Sequence, residues 1–268
     1  MNSQPEIENV LKTRCSNYKP VSTGFPYQQS NSFGCQRRTL MPLPLSDDQL
    51  AALRELDTPT ICNAIERFNV RGRVEGFLGI DIRCLLPELG SMVGYTVTAT
   101  VDSTTPGAKQ NEATWRAWVE AMAAAPKPIV LVFQDVGPQP RKSAHFGEMM
   151  ATLSKRLGVV GLVTNGGVRD ILEVKRLGLH YFAAGLAPSH GSPRLLEINI
   201  PVTLDGVRIE PGDLLHGDIN GVTTIPLAIA AQVIEAAQQV RRDEAEWLTY
   251  LTGPEFSLEG YFKRRFSH

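Results

Sequence analysis

The feature that most constrains the fold of this 268-residue chain is an alternation of short apolar runs with helical segments between residues 128 and 186. Continuous apolar runs of this length are typical of strands that are buried on both faces. Strands joined through helices in such short units predict parallel strands with right-handed crossovers. The apolar runs are PIVLVFQDV, VVGLVTNG and HYFAAGL, and the helical segments between them are GEMMATLSKRLG and ILEVKRLG.

The flanking segments predict further layers around this parallel core. The segment SDDQLAALREL predicts a helix with Ser46 as its N-cap, and a second helix, a Val- and Thr-rich strand and a third helix follow in TPTICNAIERF, MVGYTVTATVDS and NEATWRAWVEAMAAA. Turn pairs at Asp205-Gly206 and Asn220-Gly221 predict hairpins, hence a small antiparallel layer. A long helix from about 226 to 251 ends the domain. The predicted fold class is α/β, a layered sandwich with a parallel-strand core.

Composition sets the domain boundaries and excludes some classes of protein. Residues 1–44 are rich in Ser, Gln, Asn, Pro and Gly without a sustained period, so we interpret them as an irregular extension. Residues 45–268 are then a single domain. No apolar run approaches the ~20 residues of a membrane helix, the first residues do not resemble a secretory signal, and we expect a cytoplasmic protein. The net charge of -1 argues against nucleic acid or an anionic membrane as a general partner.

The stretch GVVGLVTNGGVRD is the most informative for chemistry. A buried strand is expected to end at Thr164, and after a glycine-containing loop Arg169 and Asp170 precede a helix. Ligands of open α/β sheets bind at the carboxyl ends of the strands. Arginine grips a carboxylate through two hydrogen bonds, and aspartate is a ligand of Mg²⁺. The alternative is that Asp170 caps the helix and Arg169 pairs with a surface acid; the residues alone leave both interpretations open.

A second segment lies at the end of the preceding strand. Gly147, Glu148, Met149 and Met150 begin a predicted helix, and the free amides of a helix start favour an anion. Consecutive parallel strands bring their C-terminal loops together, so we expect Glu148 close to Arg169 and Asp170. The alternative for Glu148 is a first-turn acid that only complements the helix dipole.

Several other polar residues have weaker claims. For His216 and Asp218 a polar, solvent-facing strand is favoured over a metal pair. For His190 and Ser192 a loop turn is favoured over ligand contact. His145 is equally consistent with a pocket wall and with the surface. The four cysteines form no C-x-x-C pair, which argues against zinc and favours reduced thiols.

These motifs resemble a known family over roughly residues 46–240. GEMM, VVGLVTNGGVRD, HYFAAGLAP, LDTPTICNAIE and the segment IPVTLDGVRIEPGDLLHGDINGVTTIP are similar to the family that joins class II 4-hydroxy-4-methyl-2-oxoglutarate/4-carboxy-4-hydroxy-2-oxoadipate aldolases with the regulators of ribonuclease E activity. Many of its members carry a dimethylmenaquinone methyltransferase label. The resemblance implies a swivelling-domain-like fold assembled as homotrimers or homohexamers, with the site at a subunit boundary.

The resemblance also implies roles for individual residues. It implies that Asp170 is the direct ligand of Mg²⁺ or Mn²⁺, that Glu148 reaches the metal through water, and that Arg169 contacts the pyruvyl group of the substrate. With Gly147 at the helix start, the amides of Met149 and Met150 would bind the substrate carboxylate. Arg169 and Glu148 are the expected catalytic residues.

Two positions depart from the commoner family pattern. Asn63 and Asn165 stand where aspartates are expected, and the loss of charge at Asn165 puts the substrate and any proton relay in doubt. A further acid from a neighbouring subunit would correspond to Glu244 or Glu246, and the sequence does not decide between them.

The function implied is a metal-dependent lyase that releases pyruvate from a 4-hydroxy-2-oxo acid and also decarboxylates oxaloacetate. The alternative within the same family is a non-catalytic regulator that binds a ribonuclease E-type protein. Retention of both Glu148 and Asp170 favours the enzyme, since a binding module has no need of a metal carboxylate.

Overall fold

The computed structural model describes residues 44–107 and 109–266. The predicted N-terminal extension therefore lies outside the described residues, apart from Pro44. None of the helices in the described ranges is long and apolar enough to span a bilayer.

The chain forms seven α-helices and thirteen strands within these ranges. The helices are α1 (Asp47–Arg54), α2 (Thr58–Glu66), α3 (Glu112–Ala124), α4 (Glu148–Arg156), α5 (Ile171–Leu177), α6 (Ala230–Thr252) and α7 (Leu258–Phe266). The first seven strands are β1 (Arg83–Cys84), β2 (Met92–Asp102), β3 (Ile129–Asp135), β4 (Ala144–Phe146), β5 (Val159–Thr164), β6 (Gly167–Val168) and β7 (His180–Ala183). The remaining strands are β8 (Gly185–Leu186), β9 (Arg194–Ile198), β10 (Val202–Leu204), β11 (Val207–Ile209), β12 (Leu214–Asp218) and β13 (Gly221–Ile225).

An eight-stranded sheet in the order β1-β7-β5-β3-β2-β12-β13 forms the centre of the fold, with β9 also paired to β2. The neighbours β2, β3, β5 and β7 pair in parallel, which confirms the parallel core. The outer strands β1, β9 and β12 pair antiparallel to it. The carboxyl ends of β2, β3 and β5 therefore lie along one edge, where the alternation of strands and helices predicts a site.

Alternate residues of each central strand pack into different layers. In β3, Leu131 and Phe133 join a cluster with Trp118 of α3 and Ala151 of α4. On the other side, Val132 and its neighbours pack against the two-stranded sheet of β10 and β11. A third cluster holds α1, α2 and α6 against the first residues of β2. Two covered faces explain why the core strands are continuously apolar, and the layered α/β sandwich is confirmed.

The start of α2 is fixed by residues that are far away in sequence. Asp218 accepts a hydrogen bond from the Thr58 backbone at 2.9 Å. His216 lies 3.0 Å from both the Thr58 hydroxyl and the Leu53 carbonyl. A carbonyl only accepts, so Nε2 carries the proton and Nδ1 accepts from Thr58. Burial lowers the pKa of His216, which agrees with a neutral ring. Both side chains are buried, so the prediction of a solvent-facing strand was wrong.

Three features differ from the predicted elements. The run HYFAAGL is two strands, since β7 belongs to the main sheet and β8 to a small parallel sheet in the order β4-β6-β8. Both predicted hairpins form, but only β10–β11 is a separate antiparallel layer; β12–β13 extends the main sheet. The terminal helix is followed by a further helix, α7. The first two differences arise because pairing partners, rather than local pattern, decide which sheet a short strand joins.

Candidate functional site

The small parallel sheet of β4, β6 and β8 carries the candidate site. Arg169 follows β6, and its backbone N–H donates to the Phe146 carbonyl of β4 at 3.1 Å. The pairing of β4 with β6 thus aligns the segment before α4 with the segment before α5. As the sequence predicts, Gly147, Glu148, Arg169 and Asp170 come together at this point.

Asp170 precedes α5 but does not cap it. No hydrogen bond joins its side chain to the free amides of α5; instead, Oδ2 accepts the backbone N–H of Glu148 at 2.9 Å. Asp170 also has φ 57° and ψ 42°, a left-handed conformation that aspartate adopts more readily than most residues but at some cost. This conformation directs the carboxylate to the start of α4, so helix capping is excluded as the reason for its presence.

Gly147 allows this close approach. A Cβ atom at position 147 would overlap Oδ2 of Asp170 and lie 3.0 Å from Cγ and Nε of Arg169. The backbone of Gly147 is extended, with φ -150°, so the requirement for glycine is space rather than an unusual dihedral angle. A larger residue here would force the Asp170 carboxylate or the Arg169 side chain to move.

The Arg169 side chain stays on the same side as the Asp170 carboxylate. Its Nε lies 3.4 Å from Asp170 Oδ2, and both side chains are partly exposed. The Tyr181 hydroxyl of β7 donates to the Arg169 carbonyl at 3.3 Å. This hydrogen bond fixes the peptide group between Arg169 and Asp170. Burial raises the pKa of Tyr181, and the negative charge of Asp170 raises it further, so this hydroxyl remains a donor.

The glycines of the preceding loop are required by protein contacts. A Cβ at Gly166 would lie 2.9 Å from Cε1 of His145, and one at Gly167 would lie 2.8 Å from the Ser143 carbonyl. Because these glycines have no side chains, β6 can pack closely against β4 and against the ring of His145. They support the site indirectly, by letting the small sheet form.

Asn165 joins the ends of two central strands. Its Oδ1 accepts the Asp135 backbone N–H at 2.7 Å, and its Nδ2 donates to the Asp135 carbonyl at 3.0 Å. Aspartate has no N–H to supply the second hydrogen bond. The amide at this position therefore has a structural role of its own between β3 and β5, which the sequence pattern did not indicate. Asn63, the other departure, donates to Glu244 of α6 at 3.3 Å on the surface.

The start of α4 offers the groups that a small anion needs. Glu148 and Met149 are exposed and Met150 is partly buried. The Glu148 amide is used by Asp170, while those of Met149 and Met150 lie in the first turn, where no helical partner exists. Such amides and the helix dipole favour negative charge. A small anion bound here would lie beside Arg169.

The Asp170 carboxylate also suits a hard cation. Within the described residues only its Oδ2 accepts a hydrogen bond, which leaves Oδ1 as a ligand. Mg²⁺ commonly binds through one or two carboxylates and keeps several waters. No cluster of three or more His, Cys, Asp or Glu side chains is found in the part of the chain that the structure describes. The residues present therefore fit a cation that completes its shell with water, substrate oxygens or another chain.

The remaining candidates lie elsewhere. His190 is an exposed loop residue whose Nδ1 lies 2.8 Å from the Gly191 carbonyl, in agreement with a loop turn. His145 is 4% exposed, so the surface alternative for it was wrong. Sequence reasoning missed Tyr181, because a single tyrosine in a buried strand gives no sign of what its hydroxyl contacts.

We expect Asn165→Asp to lower the free energy of unfolding by about 1–3 kcal/mol, because the Asp135 carbonyl loses its donor and faces a carboxylate. Urea unfolding followed by circular dichroism measures this. Asn69→Asp is the matched control, since Asn69 is exposed and no hydrogen bond of its side chain is found within the described residues, so the same change there should stay within about 0.5 kcal/mol of the parent. Equal stability of the two variants would contradict the structural role of Asn165.

Comparison with known proteins identifies relatives of this chain. The family model described as "RraA-like: Aldolase/RraA" matches residues 58–224. A protein of Methanocaldococcus jannaschii, "Uncharacterized protein MJ0644", is 34% identical over 131 residues, which cover 48% of this chain and 62% of that protein. A Halalkalibacterium halodurans protein named "Putative 4-hydroxy-4-methyl-2-oxoglutarate aldolase" is 33% identical over 127 residues, or 47% and 60% of the two chains. The match thus spans about three fifths of each relative.

A solved structure shows the same fold. The crystal structure of Streptomyces coelicolor RraAS2, described as an unusual member of the RNase ES inhibitor RraA protein family, superimposes with a TM-score of 0.59 at 24% identity. It covers 76% of this chain and 96% of that one. The family model includes α2, the whole parallel core and every residue of the candidate site, and on that basis this chain belongs to the RraA-like family of aldolases and RraA proteins.

Proposed function

We propose that this protein is a divalent-metal-dependent lyase that cleaves a 4-hydroxy-2-oxo acid to pyruvate. The observation that carries the proposal is the contact of the Asp170 carboxylate with the Glu148 amide, beside the Arg169 guanidinium. This site brings together the Asp170 carboxylate, the Arg169 guanidinium and the free amides at the start of α4. These groups suit a substrate that has a carboxylate next to a keto group.

The substrate carboxylate would bind the free amides of Met149 and Met150 at the start of α4. Arg169 would then donate to the keto oxygen or to the adjacent carboxylate oxygen, since its planar fork presents two parallel N–H groups. Bound Mg²⁺ or Mn²⁺, held directly by Asp170 and through water by Glu148, would polarise the keto oxygen.

The net reaction breaks the C3–C4 bond and transfers the proton of the C4 hydroxyl to C3. The C4 hydroxyl loses its proton as the C3–C4 bond breaks, which gives the carbonyl product and the enolate of pyruvate. C3 of the enolate then takes up a proton and pyruvate leaves. Arg169 would stabilise the charge that develops on the keto oxygen, and the exposed Glu148 carboxylate would position the water that carries the proton. Oxaloacetate decarboxylation passes through the same enolate and is a proposed side activity.

A purely regulatory role, binding a ribonuclease E-type protein, explains less of the site. A binding surface has no need of a strained aspartate whose carboxylate points away from its own helix. Nor does it need a glycine that clears space beside that carboxylate.

Asp170→Asn tests the proposal most simply. Asparagine keeps the shape and can still accept the Glu148 N–H, but it is neutral and a weaker ligand. We expect metal-dependent pyruvate release to fall at least 100-fold, because the metal supplies several kcal/mol of transition-state stabilisation. The assay is pyruvate release from a panel of 4-hydroxy-2-oxo acids with Mg²⁺ or Mn²⁺, with and without chelator.

The matched control for Asp170→Asn is Glu173→Gln in the first turn of α5, which removes a nearby acid whose ion pair, among the described residues, is with Arg176. It should retain parental activity. Near-parental activity of Asp170→Asn at saturating metal would refute the assignment of this carboxylate.

Arg169→Lys tests whether Arg169 orients the substrate or only supplies a positive charge. Lysine keeps the charge but has no planar fork, so we expect kcat/KM to fall by an amount equivalent to roughly 2–4 kcal/mol of transition-state stabilisation. Arg176→Lys, on an exposed face of α5, should have little effect. A kcat/KM for Arg169→Lys within about threefold of the parent, ~0.65 kcal/mol, would reduce Arg169 to a structural or surface charge.

Assembly is part of the proposal, because large apolar side chains surround the site. Met149 is 83% exposed, Leu172 62% and Leu186 57%. Exposed apolar patches of this kind commonly mark contacts with another protein. We propose that a second copy covers them in a homotrimer or homohexamer and contributes to the metal shell. Light scattering at micromolar concentration should give at least three times the chain mass of 29.4 kDa; a monomeric mass would contradict this.

A further inference from the structure

The second half of α6 and the whole of α7 form an arm, residues 241–266, that the domain core does not cover. The buried residues of α6 all lie in its first half, at Ala230, Val233, Ala237 and Val240. In α7 every described side chain is at least partly exposed. The two helices pack on each other instead, since the Trp247 ring lies 6.1 Å from the Tyr261 ring and the Arg264 guanidinium lies 4.3 Å from the centre of the Tyr250 ring. These contacts give the arm a defined shape of its own.

The arm exposes large apolar side chains that its own packing does not use. Three of them recur every fourth residue along α7, which places them on one side of the helix. The exposed apolar side chains of the arm are Leu248, Leu251, Phe256, Leu258, Phe262 and Phe266. A contiguous exposed apolar surface commonly marks a contact with another molecule.

A groove of about 340 Å³ opens on the arm between α6 and α7. Trp247, Leu251 and Tyr261 line it, together with Arg264 and Arg265. Arg265 makes no hydrogen bond or ion pair with another described residue. Because guanidinium groups bind carboxylates through two parallel hydrogen bonds, this groove suits an acidic side chain that is accompanied by apolar ones.

The turn between the two helices carries those complementary groups. In this acidic turn, residues 255–259, Glu255 and Glu259 lie on either side of Phe256 and Leu258, and all four side chains are exposed. Neither carboxylate forms an ion pair within the part of the chain that the structure describes. The acidic turn of one arm thus matches the groove of an identical arm in both charge and polarity.

A surface that carries both members of a complementary pair fits a second copy of itself. In a two-fold contact the same patch of each chain is used twice, so each acidic turn can meet the groove of the other copy. An anionic membrane or a nucleic acid would instead meet Glu255 and Glu259 beside the exposed apolar side chains. Like charges would oppose that contact, and the charge pattern therefore favours a second copy.

We propose that the arm is a two-fold docking surface for a second copy of this chain, in which the acidic turn of each copy fills the groove of the other. The inference goes beyond the proposed lyase function and does not depend on it. The arm shares no residue with the apolar patch of Met149, Leu172 and Leu186 beside the candidate site. A two-fold contact at the arm would join two trimers formed through that patch into a homohexamer.

Charge reversal on the full chain tests this pairing. Glu255→Lys/Glu259→Lys reverses the acidic turn, and Arg264→Glu/Arg265→Glu reverses the groove. Each double variant alone places like charges in both halves of the two-fold contact, so light scattering at micromolar concentration should give half the parental mass. In an equimolar mixture each turn meets a groove of opposite charge, and the parental mass should return. This recovery would also show that both variants are folded.

Arg116→Glu/Glu120→Lys is the matched control, because it is a double charge reversal on exposed residues of α3. It should keep the parental mass. Parental mass in both arm variants, or a mixture that stays at half that mass, would overturn the proposal. Sedimentation of the parent with phosphatidylserine vesicles would also overturn it and identify a membrane as the partner. The lyase proposal is decided separately by pyruvate release, which none of these measurements uses.

Discussion

The hydrogen bond from the Glu148 backbone to the Asp170 carboxylate joins the two halves of the candidate site. It spans 22 residues of sequence and connects the start of α4 to the start of α5, and a Cβ atom at position 147 would overlap the same carboxylate oxygen. The left-handed backbone at Asp170 and the Tyr181 hydroxyl beneath Arg169 serve the same arrangement. A residue held in an unfavourable conformation away from its own helix is typical of a functional position.

The small sheet of β4, β6 and β8 holds the two partners of this hydrogen bond in position. It lies at the carboxyl edge of the main sheet and is built from segments of only two or three residues. The two glycines that precede Val168 are needed because strand β4 and the ring of His145 approach the backbone closely. The candidate site at this edge thus depends on a small sheet that contributes none of the proposed catalytic side chains.

The sequence predicted the parts of the fold that depend on local pattern. The apolar runs identified β3, β5 and β7. Because these strands pair in parallel, their carboxyl ends lie at one edge of the sheet, as the sequence predicted. The sheet to which β8 or the β12–β13 hairpin belongs could not be predicted, because strand partners are set by tertiary packing. The same limit applies to single side chains. The hydrogen bonds of Asn165 with Asp135 and of His216 with Leu53 and Thr58 join residues distant in sequence, and no spacing rule indicates them.

The central claim is that Asp170, in this arrangement, forms a metal site shared with a 2-oxo acid. Binding of Mn²⁺ to the parent protein, followed by electron paramagnetic resonance with and without pyruvate, tests it most directly. We predict one Mn²⁺ per chain and tighter Mn²⁺ binding when pyruvate is present, because pyruvate would supply oxygen ligands to the bound ion. Linkage then requires that each ligand raise the affinity for the other by the same factor. Absence of Mn²⁺ binding, or an affinity that pyruvate leaves unchanged, would contradict the claim.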